Sequence, residues 1–539
     1  MSDRLDPALE GLERGLTRDQ LLKRAVAGGA AILASGSLAD AADAAFRAAP
    51  KRGGTFRIGV SGGSSKDFID GQNIVTRPDQ ARIVTGWETL LTFDRNFKLV
   101  FDGLAEEISA KTADVWTIRV RDGIEFHNGK TLGAEDVIYS LRRLIDPKLK
   151  LFGGAALSSV DGKRLKKLDK RTVRLTLKRK DVTILDALGQ YIAGIVPVGY
   201  SPGAIGKAKP NIGTGPYKLQ SFTPGQQSVH VRNPNYWRHG QPYFDKVVII
   251  DFPDDTARVN ALLSGQVDAI TDVPPAQVAV VNGHSGLKVL ESPSAAWTPI
   301  IMRVDAAPFT DVRVRQAIRL IADRPQMVAQ ALSGHGRIGN DLYAPFDENF
   351  AKDLPQRHQD IDKAKSLLKA AGQSNLTVDL QSTNGALGMN EGAQVFAQQA
   401  KAAGVTVKVK ILDSGAFYSD QYLKWPFSTD FWGSRNYLSQ VAAGSLPSSP
   451  YNESHWPDTA DQKFLSLYKQ ALGTVDKKKR TQILHDMQKM EYNNGGYLIW
   501  GFSTLLDGYS TKIQGVKQGD KGVLPFNAFG HGYRTIWFG

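Results

Sequence analysis

The sequence of 539 residues contains no cysteine. This absence excludes disulfide frameworks, thiolate metal sites and cysteine nucleophiles. It also leaves no thiol to carry a lipid, so we do not expect a lipoprotein. After the first 45 residues, the chain has no uninterrupted run of the ~18 apolar residues that a membrane-spanning helix requires. We therefore expect the mature protein to be soluble.

Local motifs for catalysis or cofactor binding are also missing. The nine histidines are scattered, and no two of them form the i, i+4 pair of a helical zinc site. No nucleophile elbow, calcium loop or dinucleotide fingerprint is present. The stretch GIEFHNGKT at Gly123–Thr131 resembles a phosphate-binding loop, but five residues separate its glycines where such a loop needs four. We expect no metal, no cofactor and no enzymatic activity.

The chain is basic, with a net charge of +13, and the excess lies beyond residue 45. Such an excess suits nucleic acid, an anionic envelope surface or an acidic ligand. In its densest cluster, Arg164–Lys180, the residues Val173, Leu175 and Leu177 alternate with polar ones. The alternation predicts an amphipathic strand with a solvated basic face. Because no aromatic residues interleave the charges, we do not expect a nucleic acid partner.

Residues 1–45 have the layout of an export signal. A weakly apolar run at Ala25–Leu38 follows two basic residues, and Ala-x-Ala cleavage sites come after it. The stretch TRDQLLKRA at Thr17–Ala25 resembles a twin-arginine signal, but Asp19 stands where the second arginine would be. The alternative, an amphipathic helix that belongs to the fold, remains open. We expect an exported protein in the periplasm or the cell-envelope space.

Helical and extended patterns alternate along the rest of the chain, which favours an α/β fold. Apolar residues at helical spacing predict helices at Ala134–Ile145 and directly after Asp311, a residue suited to be an N-cap. Gly372 suits the end of a further helix, and a right-handed βαβ unit follows it. The other predicted segments are strands at Lys51–Val60, Val247–Asp251, Leu376–Leu380 and Val405–Leu412, a helix at Ala393–Ala403 and a loop at Val441–Ser454.

Three longer stretches, Arg121–Pro147, Asn211–Trp237 and Asp311–Arg324, carry a family resemblance. The first reads RDGIEFHNGKTLGAEDVIYSLRRLIDP, and the second contains GTGPY and an Asn-Pro-x-Tyr-Trp turn. In their order they resemble the family 5 extracellular solute-binding proteins, the receptors of oligopeptide, dipeptide and nickel importers. Gly133 departs from the family's Ser or Thr, but glycine caps a helix nearly as well. The resemblance extends over nearly the whole chain after Lys51.

This resemblance implies an α/β, two-lobed type II periplasmic-binding-protein fold, with an extra subdomain in lobe I and a ligand cleft between hinged lobes. The chain would cross between the lobes near Trp297–Val304 and near Leu498–Phe502, and two crossings form a hinge. The implied bounds are residues 46–301 for lobe I, about 91–201 for its inserted subdomain, 302–498 for lobe II and 499–539 for the return to lobe I.

The resemblance also implies a function and partners. The protein would be a monomeric receptor that captures a small-molecule or peptide ligand by lobe closure and delivers it to the permease subunits of an ABC importer. Two alternatives remain open: a ligand sensor that reports to a membrane partner, and an envelope hydrolase. The hydrolase would need paired carboxylates with separated pKa values in one cleft, and no local pattern reveals such a pair.

The most informative candidate for ligand binding is Arg435, in the stretch DFWGSRNYLSQ. Peptide-binding relatives have an aspartate three residues after a tryptophan, and that aspartate pairs with the amino terminus of the peptide. Here Arg435 stands three residues after Trp432. Because a guanidinium offers donors to a carboxylate or phosphate, we expect the ligand to carry an anionic group at this position. The alternative, that Arg435 pairs with a carboxylate such as Asp430 or lies in solvent, stays open.

Other candidates come from the same stretch and from the resemblance. Trp432, Tyr437 and Trp297 would be cleft aromatics that stack on the ligand, with core packing as the alternative. Asn436 lies beside Arg435 in the sequence. Two further candidates resemble family positions and have a purely structural role as their alternative: Asn452, in an Asn-x-Ser turn, and Asp70, after the first strand.

Overall fold

The structure is a computed structural model, and it describes residues 50–74, 76–202, 212–457, 462–519, 521, 526 and 533–539. The predicted export signal at residues 1–45 lies outside the described residues. Within them, none of the helices combines the length and the apolar character needed to cross a membrane.

The strands are numbered along the chain. They are β1 (Thr55–Ser61), β2 (Thr92–Phe93), β3 (Leu99–Val100), β4 (Ala105–Thr112), β5 (Val115–Val120), β6 (Lys166–Lys167), β7 (Thr172–Thr176), β8 (Tyr217–Thr223), β9 (Gln227–Arg232), β10 (Lys246–Phe252), β11 (Ala269–Ile270), β12 (Leu287–Pro293), β13 (Ile300–Met302), β14 (Gly336–Ile338), β15 (Thr377–Thr383), β16 (Thr406–Leu412), β17 (Phe427–Thr429), β18 (Tyr497–Leu498), β19 (Gly501–Ser510), β20 (Ile513–Gln514) and β21 (Trp537–Phe538).

The α-helices are numbered in the same way. They are α1 (Arg77–Gly86), α2 (Ala134–Leu144), α3 (Ile184–Gly189), α4 (Asp255–Leu263), α5 (Val278–Gly283), α6 (Val312–Ile321), α7 (Arg324–Ala331), α8 (Ile361–Ala370), α9 (Met389–Ala400), α10 (Ser414–Phe417), α11 (Tyr437–Gly444), α12 (Gln462–Gly473) and α13 (Lys477–Asn494). Short 3-10 turns occur at Phe152–Leu157, Tyr191–Ala193, Pro275–Gln277 and Lys401–Ala403.

The largest sheet among the described residues has the strand order β12-β19-β11-β1-β10-β9-β8, with β14 beside β19. Strand β1 runs parallel to both of its neighbours, β10 and β11. Its side chains Phe56, Ile58 and Val60 are fully buried, because central strands need an apolar residue at every inward position. The prediction of a first strand in Lys51–Val60 is confirmed. We call the part built on this sheet the first lobe.

A second, antiparallel sheet of the first lobe has the order β4-β5-β7-β6. Strand β7 buries Val173 and Leu175 against α2 and exposes Arg174, as the alternating pattern predicts. Helix α2 begins after Gly133, whose backbone N–H donates to the Asp136 carboxylate at 3.0 Å. The side chain of residue 136 thus supplies the cap that glycine itself lacks.

The second lobe is built on a sheet with the order β16-β15-β17-β13-β18. Strands β15 and β16 are parallel and are joined by α9, so the predicted βαβ unit is confirmed. Helix α6 begins where predicted, because the Asp311 carboxylate accepts a hydrogen bond from the Arg313 backbone N–H at 2.8 Å. Gly372, with φ of +71°, follows the end of α8 in the left-handed conformation that glycine adopts at low cost.

One predicted loop is partly helical. The segment Val441–Ser454 was expected to be a loop, but its first residues form the second half of α11. The helix begins at Tyr437, whose backbone N–H donates to the Asp347 carboxylate at 2.8 Å. This capping group lies 90 residues away along the chain, and the side chain of the N-cap residue, Asn436, makes no capping hydrogen bond of its own.

The chain passes between the two large sheets at two short segments. The first runs from the end of β12 at Pro293 to the start of β13 at Ile300, and the second from Leu498 to Gly501. A third connection was not predicted: β14, which follows the second-lobe helix α7, pairs with the start of β19 in the first lobe. The exact bounds proposed for the lobes and the inserted subdomain remain predictions.

Candidate ligand-binding site

The candidate residues cluster after the carboxyl end of β17, in the second lobe. This strand lies beside β15 and runs parallel to it, and ligands of open α/β sheets bind at such strand ends. Trp432 is fixed there by backbone hydrogen bonds with Trp297 in both directions, at 3.0 and 2.9 Å. The two indole rings are stacked, with centroids 6.0 Å apart. The segment 430–436 is therefore anchored to the crossing segment between the lobes.

Arg435 is half-buried and lies over the Trp432 ring, with its guanidinium carbon 5.2 Å from the ring centroid. Its Nη1 donates a long hydrogen bond to the Gln440 Oε1 at 3.5 Å. Among the described residues, no carboxylate oxygen comes within 4.0 Å of its guanidinium. Burial lowers the pKa of Arg435, but arginine remains protonated in proteins. The site thus contains a positive charge without a neutralising partner.

The alternative that Arg435 pairs with Asp430 is contradicted. The Asp430 carboxylate instead accepts hydrogen bonds from the Tyr422 hydroxyl at 2.8 Å, the Tyr418 hydroxyl at 3.3 Å and the Phe431 backbone N–H at 2.8 Å. It is also only 3% exposed. All three of these donors to the Asp430 carboxylate belong to the second lobe.

Glu453 is the carboxyl group that acts electrostatically on Arg435, and it is buried beneath Trp432. The Trp432 indole N–H donates to its Oε2 at 3.2 Å. Burial and the neighbouring Asp430 raise the pKa of Glu453 well above its usual range. Glu453 therefore holds its proton more tightly than a free glutamate does, which weakens its compensation of the Arg435 charge.

Trp297 and Tyr437 are buried supports of this site. Trp297 stacks on Tyr343 at 5.6 Å as well as on Trp432, and Tyr437 stacks on the other side of Tyr343 at 5.4 Å. The Tyr437 hydroxyl donates to Glu491 at 2.7 Å. Because these ring faces already have partners, the predicted stacking of Trp297 and Tyr437 on a ligand does not follow from the structure. They hold Trp432 in place.

Asn436 contacts the first lobe. It is the N-cap residue of α11, and its side-chain amide donates to the Asp186 carboxylate of α3 at 2.9 Å. The Ser439 hydroxyl, one turn into the same helix, donates to the other oxygen of Asp186 at 3.0 Å. The residue beside Arg435 thus connects the two lobes.

Asn452 and Asp70 have different settings. The side-chain oxygen of Asn452 is buried and has no hydrogen-bond partner among the described residues, and Asn452 lies between Tyr451 and Glu453 of the site. Asp70 is buried in the first lobe, where it forms an ion pair with Arg143 at 2.7 Å. Its partners lie in the first lobe, so the structure gives Asp70 a structural role there and does not bring it to Arg435.

Exposed aromatic rings lie beside the site, and no local pattern in the sequence indicates that they are exposed there. Phe431 is 47% exposed and Tyr451 is 46% exposed. Tyr451 packs edge-on against Trp432, with centroids 6.0 Å apart. Tyr191, in a 3-10 turn of the first lobe, is close enough to influence Arg435 electrostatically. Large exposed rings beside an uncompensated charge are the chemistry of a ligand-binding surface.

Comparison with known proteins identifies the family. The model for the middle region of the bacterial extracellular solute-binding proteins, family 5, matches residues 100–450, more than half of the chain. The chain belongs to this family. Its type II periplasmic-binding-protein fold follows from the same similarity and from the two sheets that the chain connects twice.

Two relatives and one solved structure illustrate the extent of the sequence and fold similarity between this family 5 protein and known proteins. It is 24% identical to the heme-binding protein A of Haemophilus influenzae, over 76% of this chain and 80% of that protein. It is 24% identical to the glutathione-binding protein GsiB of Escherichia coli K12, over 85% and 91%. The structure of AgaA from A. tumefaciens R10 in complex with agropinic acid matches with a TM-score of 0.71 at 22% identity, covering 90% and 99%.

Proposed function

We propose that this solute-binding protein captures a solute with a carboxylate or another anionic group, and that Arg435 receives that group. The observation that carries the proposal is the half-buried guanidinium of Arg435, which has no carboxylate within 4.0 Å among the described residues. A partly desolvated charge without a partner is costly, and an anionic ligand would remove that cost. The similarity to AgaA, solved with agropinic acid, supports an acidic ligand for this fold.

The aromatic surroundings give the proposed ligand a second feature. Trp432 already covers one face of the Arg435 guanidinium, and Phe431 and Tyr451 offer exposed rings nearby. Aromatic rings bind planar or apolar groups with little loss of side-chain entropy. We therefore infer a ligand that combines an anionic group with an apolar or planar body, such as a modified amino acid or a short peptide bound by its carboxylate.

Capture depends on closure of the lobes. Family 5 proteins capture solutes for ABC importers, and ligand contacts to both lobes favour the closed form. In this chain we infer that Arg435 supplies the second-lobe contact and that the region of Tyr191 supplies the first-lobe contact. The permease subunits of the importer would then recognise the closed monomer. The absence of cysteine supports a receptor that has no lipid anchor.

We also propose that the protein is not an enzyme. A hydrolase needs two accessible carboxyl groups, and the two neighbouring carboxyl groups next to the site belong to Asp430 and Glu453. These side chains are 3% and 5% exposed and are covered by Trp432 and Tyr422. Their burial supports a structural role.

The test begins with the ligand that the protein carries. Native mass spectrometry of protein purified from its own host would identify a co-purifying molecule, and a thermal-shift panel of free carboxylates, matched amides and peptides would define its class. We expect the carboxylates to raise the melting temperature and the matched amides to leave it unchanged. Stabilisation by amides equal to that by carboxylates would overturn the anionic class.

A variant pair links the ligand to Arg435. Arg435→Gln should weaken binding of the carboxylate found in the panel by ~10–100-fold, because a hydrogen bond between charged groups is lost. The control is Arg174→Gln, which removes the same charge from an exposed strand of the first lobe. Isothermal titration should show unchanged affinity for the control. Unchanged affinity in both variants would rule out Arg435 as the anion receptor.

A further inference from the structure

The positive charge of the chain is concentrated in one segment of the first lobe. Residues 163–180 contain ten basic side chains and one acidic side chain, Asp169, whereas the net charge of the whole chain is +13. The segment includes β6 and β7, which form a hairpin at the edge of the sheet β4-β5-β7-β6. An isolated bridge between Val160 and Leu177 extends the pairing of this hairpin. We call the ten basic residues of 163–180 the basic edge.

The pairing register places the two faces of this hairpin in different surroundings. Val173 of β7 is buried, and Lys167, opposite it on β6, forms an ion pair with Glu135 of α2 at 2.6 Å. Lys166 lies opposite Arg174, and both of these side chains are exposed. Because successive residues of a strand point to opposite faces, the hairpin has one face on the core and one in solvent.

Most of the basic edge has no counterion within the protein. Lys167 pairs with Glu135, and Arg171 pairs with Glu106 at 3.1 Å. The other eight basic residues are all exposed, and no carboxylate oxygen of the described residues lies within 4.0 Å of their charged groups. Like charges along one hairpin repel one another, and an anionic partner would relieve that repulsion.

The turn between β6 and β7 adds an apolar side chain to this surface. Leu168 is 41% exposed, and it lies two positions after Lys166, on the same face of the hairpin. Its backbone N–H donates to the Thr172 carbonyl oxygen at 2.8 Å, which fixes the tip of the turn. An exposed apolar side chain among cations suits the boundary between the headgroups and the acyl chains of a lipid layer.

The composition of the basic edge favours lipid over nucleic acid as the anionic partner. No aromatic residue occurs in 163–180, so the segment has no ring on which a base could stack. In the described part of the chain, no hydrogen bond or ion pair holds the side chains of Lys163, Arg164, Lys166 and Arg174. Side chains that are free to move can follow the phosphates of a fluid bilayer, which have no fixed arrangement.

We propose that the basic edge docks this receptor on a membrane surface of anionic phospholipids, with Leu168 inserted among the headgroups. Family 5 proteins capture solutes for ABC importers, so delivery takes place at a membrane. Docking confines the receptor to that surface and raises its effective concentration at the importer. The inference does not depend on the proposed ligand class, because no residue of the candidate site belongs to the basic edge.

Co-sedimentation of the full chain with vesicles measures this docking without any ligand. Vesicles of phosphatidylcholine with about 30% phosphatidylglycerol provide the anionic surface, and vesicles of phosphatidylcholine alone provide the neutral one. At low salt we expect the partition coefficient on the anionic vesicles to be at least about 100-fold larger than on the neutral ones. It should fall steeply towards about 0.5 M salt, because salt screens exposed charges.

Two variants with the same change of net charge locate the docking face. The test variant neutralises four exposed cations of the basic edge: Lys163→Gln, Arg164→Gln, Lys166→Gln and Arg174→Gln. The control neutralises four exposed lysines of the second lobe: Lys365→Gln, Lys369→Gln, Lys408→Gln and Lys410→Gln. Each cation near an anionic surface strengthens binding about fivefold, so the test variant should bind at least about 30-fold more weakly. The control should change by less than about threefold.

A dye at the tip of the turn tests the orientation of the docked receptor. Because the chain has no cysteine, Leu168→Cys provides a single attachment point for an environment-sensitive dye, and Ser374→Cys provides an exposed control position on the second lobe. Addition of anionic vesicles should shift the emission to shorter wavelength at position 168 and leave it unchanged at position 374.

Three results would overturn the docking: equal binding to the two kinds of vesicle, equal losses in the two charge variants, or an emission at position 168 that does not shift. Absence of binding to anionic vesicles would point to an acidic protein partner or to a solvated edge, and it would equally end the proposal. Residues 1–45 are the same in all the proteins compared, so their own affinity for lipid cancels. Thermal unfolding checks that each variant is folded. The carboxylate panel contains no lipid, so the two proposals fail separately.

Discussion

Two arginines of the second lobe, Arg324 and Arg435, differ in the groups that compensate their charge. Arg324 is fully buried at the start of α7, and its guanidinium donates to both oxygens of Asp341, at 2.9 and 2.8 Å. Arg435 is half-buried and makes a long contact to the amide oxygen of Gln440. A buried charge that belongs to the fold has its partner built in. Among the described residues, Arg435 has no carboxylate partner of this kind.

A third arginine shows that a carboxylate is not the only internal solution. Arg319 of α6 is buried, and its guanidinium donates to the backbone carbonyl oxygens of Tyr497, Tyr492 and Gly495. Its nitrogens therefore have acceptors from the segment that leads to the second crossing. The fold thus supplies several acceptor oxygens for Arg319 and Arg324, whereas Arg435 has a long contact to the amide oxygen of Gln440.

The largest effect should come from breaking the internally paired site. Asp341→Asn would remove the charge that compensates Arg324 and Arg357. Asparagine tolerates the left-handed backbone of this position, where φ is +57°, so the change isolates the charge. We expect the free energy of unfolding to fall by about 3–5 kcal/mol in urea denaturation.

The control for this experiment is Glu348→Gln, which breaks an exposed ion pair with Lys477 in the same lobe. Exposed pairs contribute about 0–1 kcal/mol, so the control should unfold near the wild-type urea concentration. Equal losses in the two variants would contradict the distinction between buried and exposed pairs in this lobe.

A smaller effect concerns Glu491, a buried carboxyl group that meets the hydroxyls of Tyr343 and Tyr437. Burial raises its pKa to about 7, so the folded state binds its proton more tightly than the unfolded state. The free energy of unfolding should therefore fall as the pH rises from about 4.5 to about 7. In Glu491→Gln this part of the fall, about 1–3 kcal/mol, should disappear.

Urea denaturation at pH 5 and pH 8 measures this difference. Glu348→Gln changes an exposed glutamate in the same way and should keep the wild-type pH dependence. If Glu491→Gln loses stability between the two pH values as steeply as the wild type, the carboxyl group of residue 491 does not hold a proton in the folded state.

The smallest effect on stability should come from Arg435 itself. Arg435→Gln removes no ion pair, so the free energy of unfolding should change by less than about 1 kcal/mol. The same substitution at Arg324 would remove one of the two arginines that pair with Asp341 and should cost about 3 kcal/mol. Thermal and urea unfolding of the two variants side by side would sharpen the comparison. A loss at Arg435 as large as that at Arg324 would mean that Arg435 serves the fold.

Much of the fold was predictable because its signals are local. The N-cap at Asp311, the glycine stop at Gly372 and the alternating apolar residues of β7 each act within a few positions of the chain. Arg435 became a candidate for a different reason: in the family that the chain resembles, the position three residues after the tryptophan contacts the ligand in peptide-binding members. Both kinds of signal are independent of how distant segments meet.

The rest of the site depends on contacts between distant segments. Asp186 and Asn436 are 250 residues apart, and nothing near either residue indicates the other. The hydrogen bond from the first residue of α11 to Asp347 is equally remote in sequence, and the sequence around Val441 therefore predicts a loop where the structure has the end of a helix. The stacks that cover Trp297 and Tyr437 explain why two predicted ligand contacts are supports. Side-chain type alone does not distinguish a ring that faces a ligand from a ring that faces another ring.

The short strand β14 has a consequence for the way the molecule opens. It extends from the second lobe and forms a hydrogen-bonded ladder with β19, next to the point where β18 leads into the first lobe. A paired ribbon bends more readily than it shears, because sliding would break its hydrogen bonds in register. We therefore expect the two lobes to open by rotation about this ribbon, with little twist of one lobe against the other. A solute would then enter at the edge of the molecule opposite the ribbon.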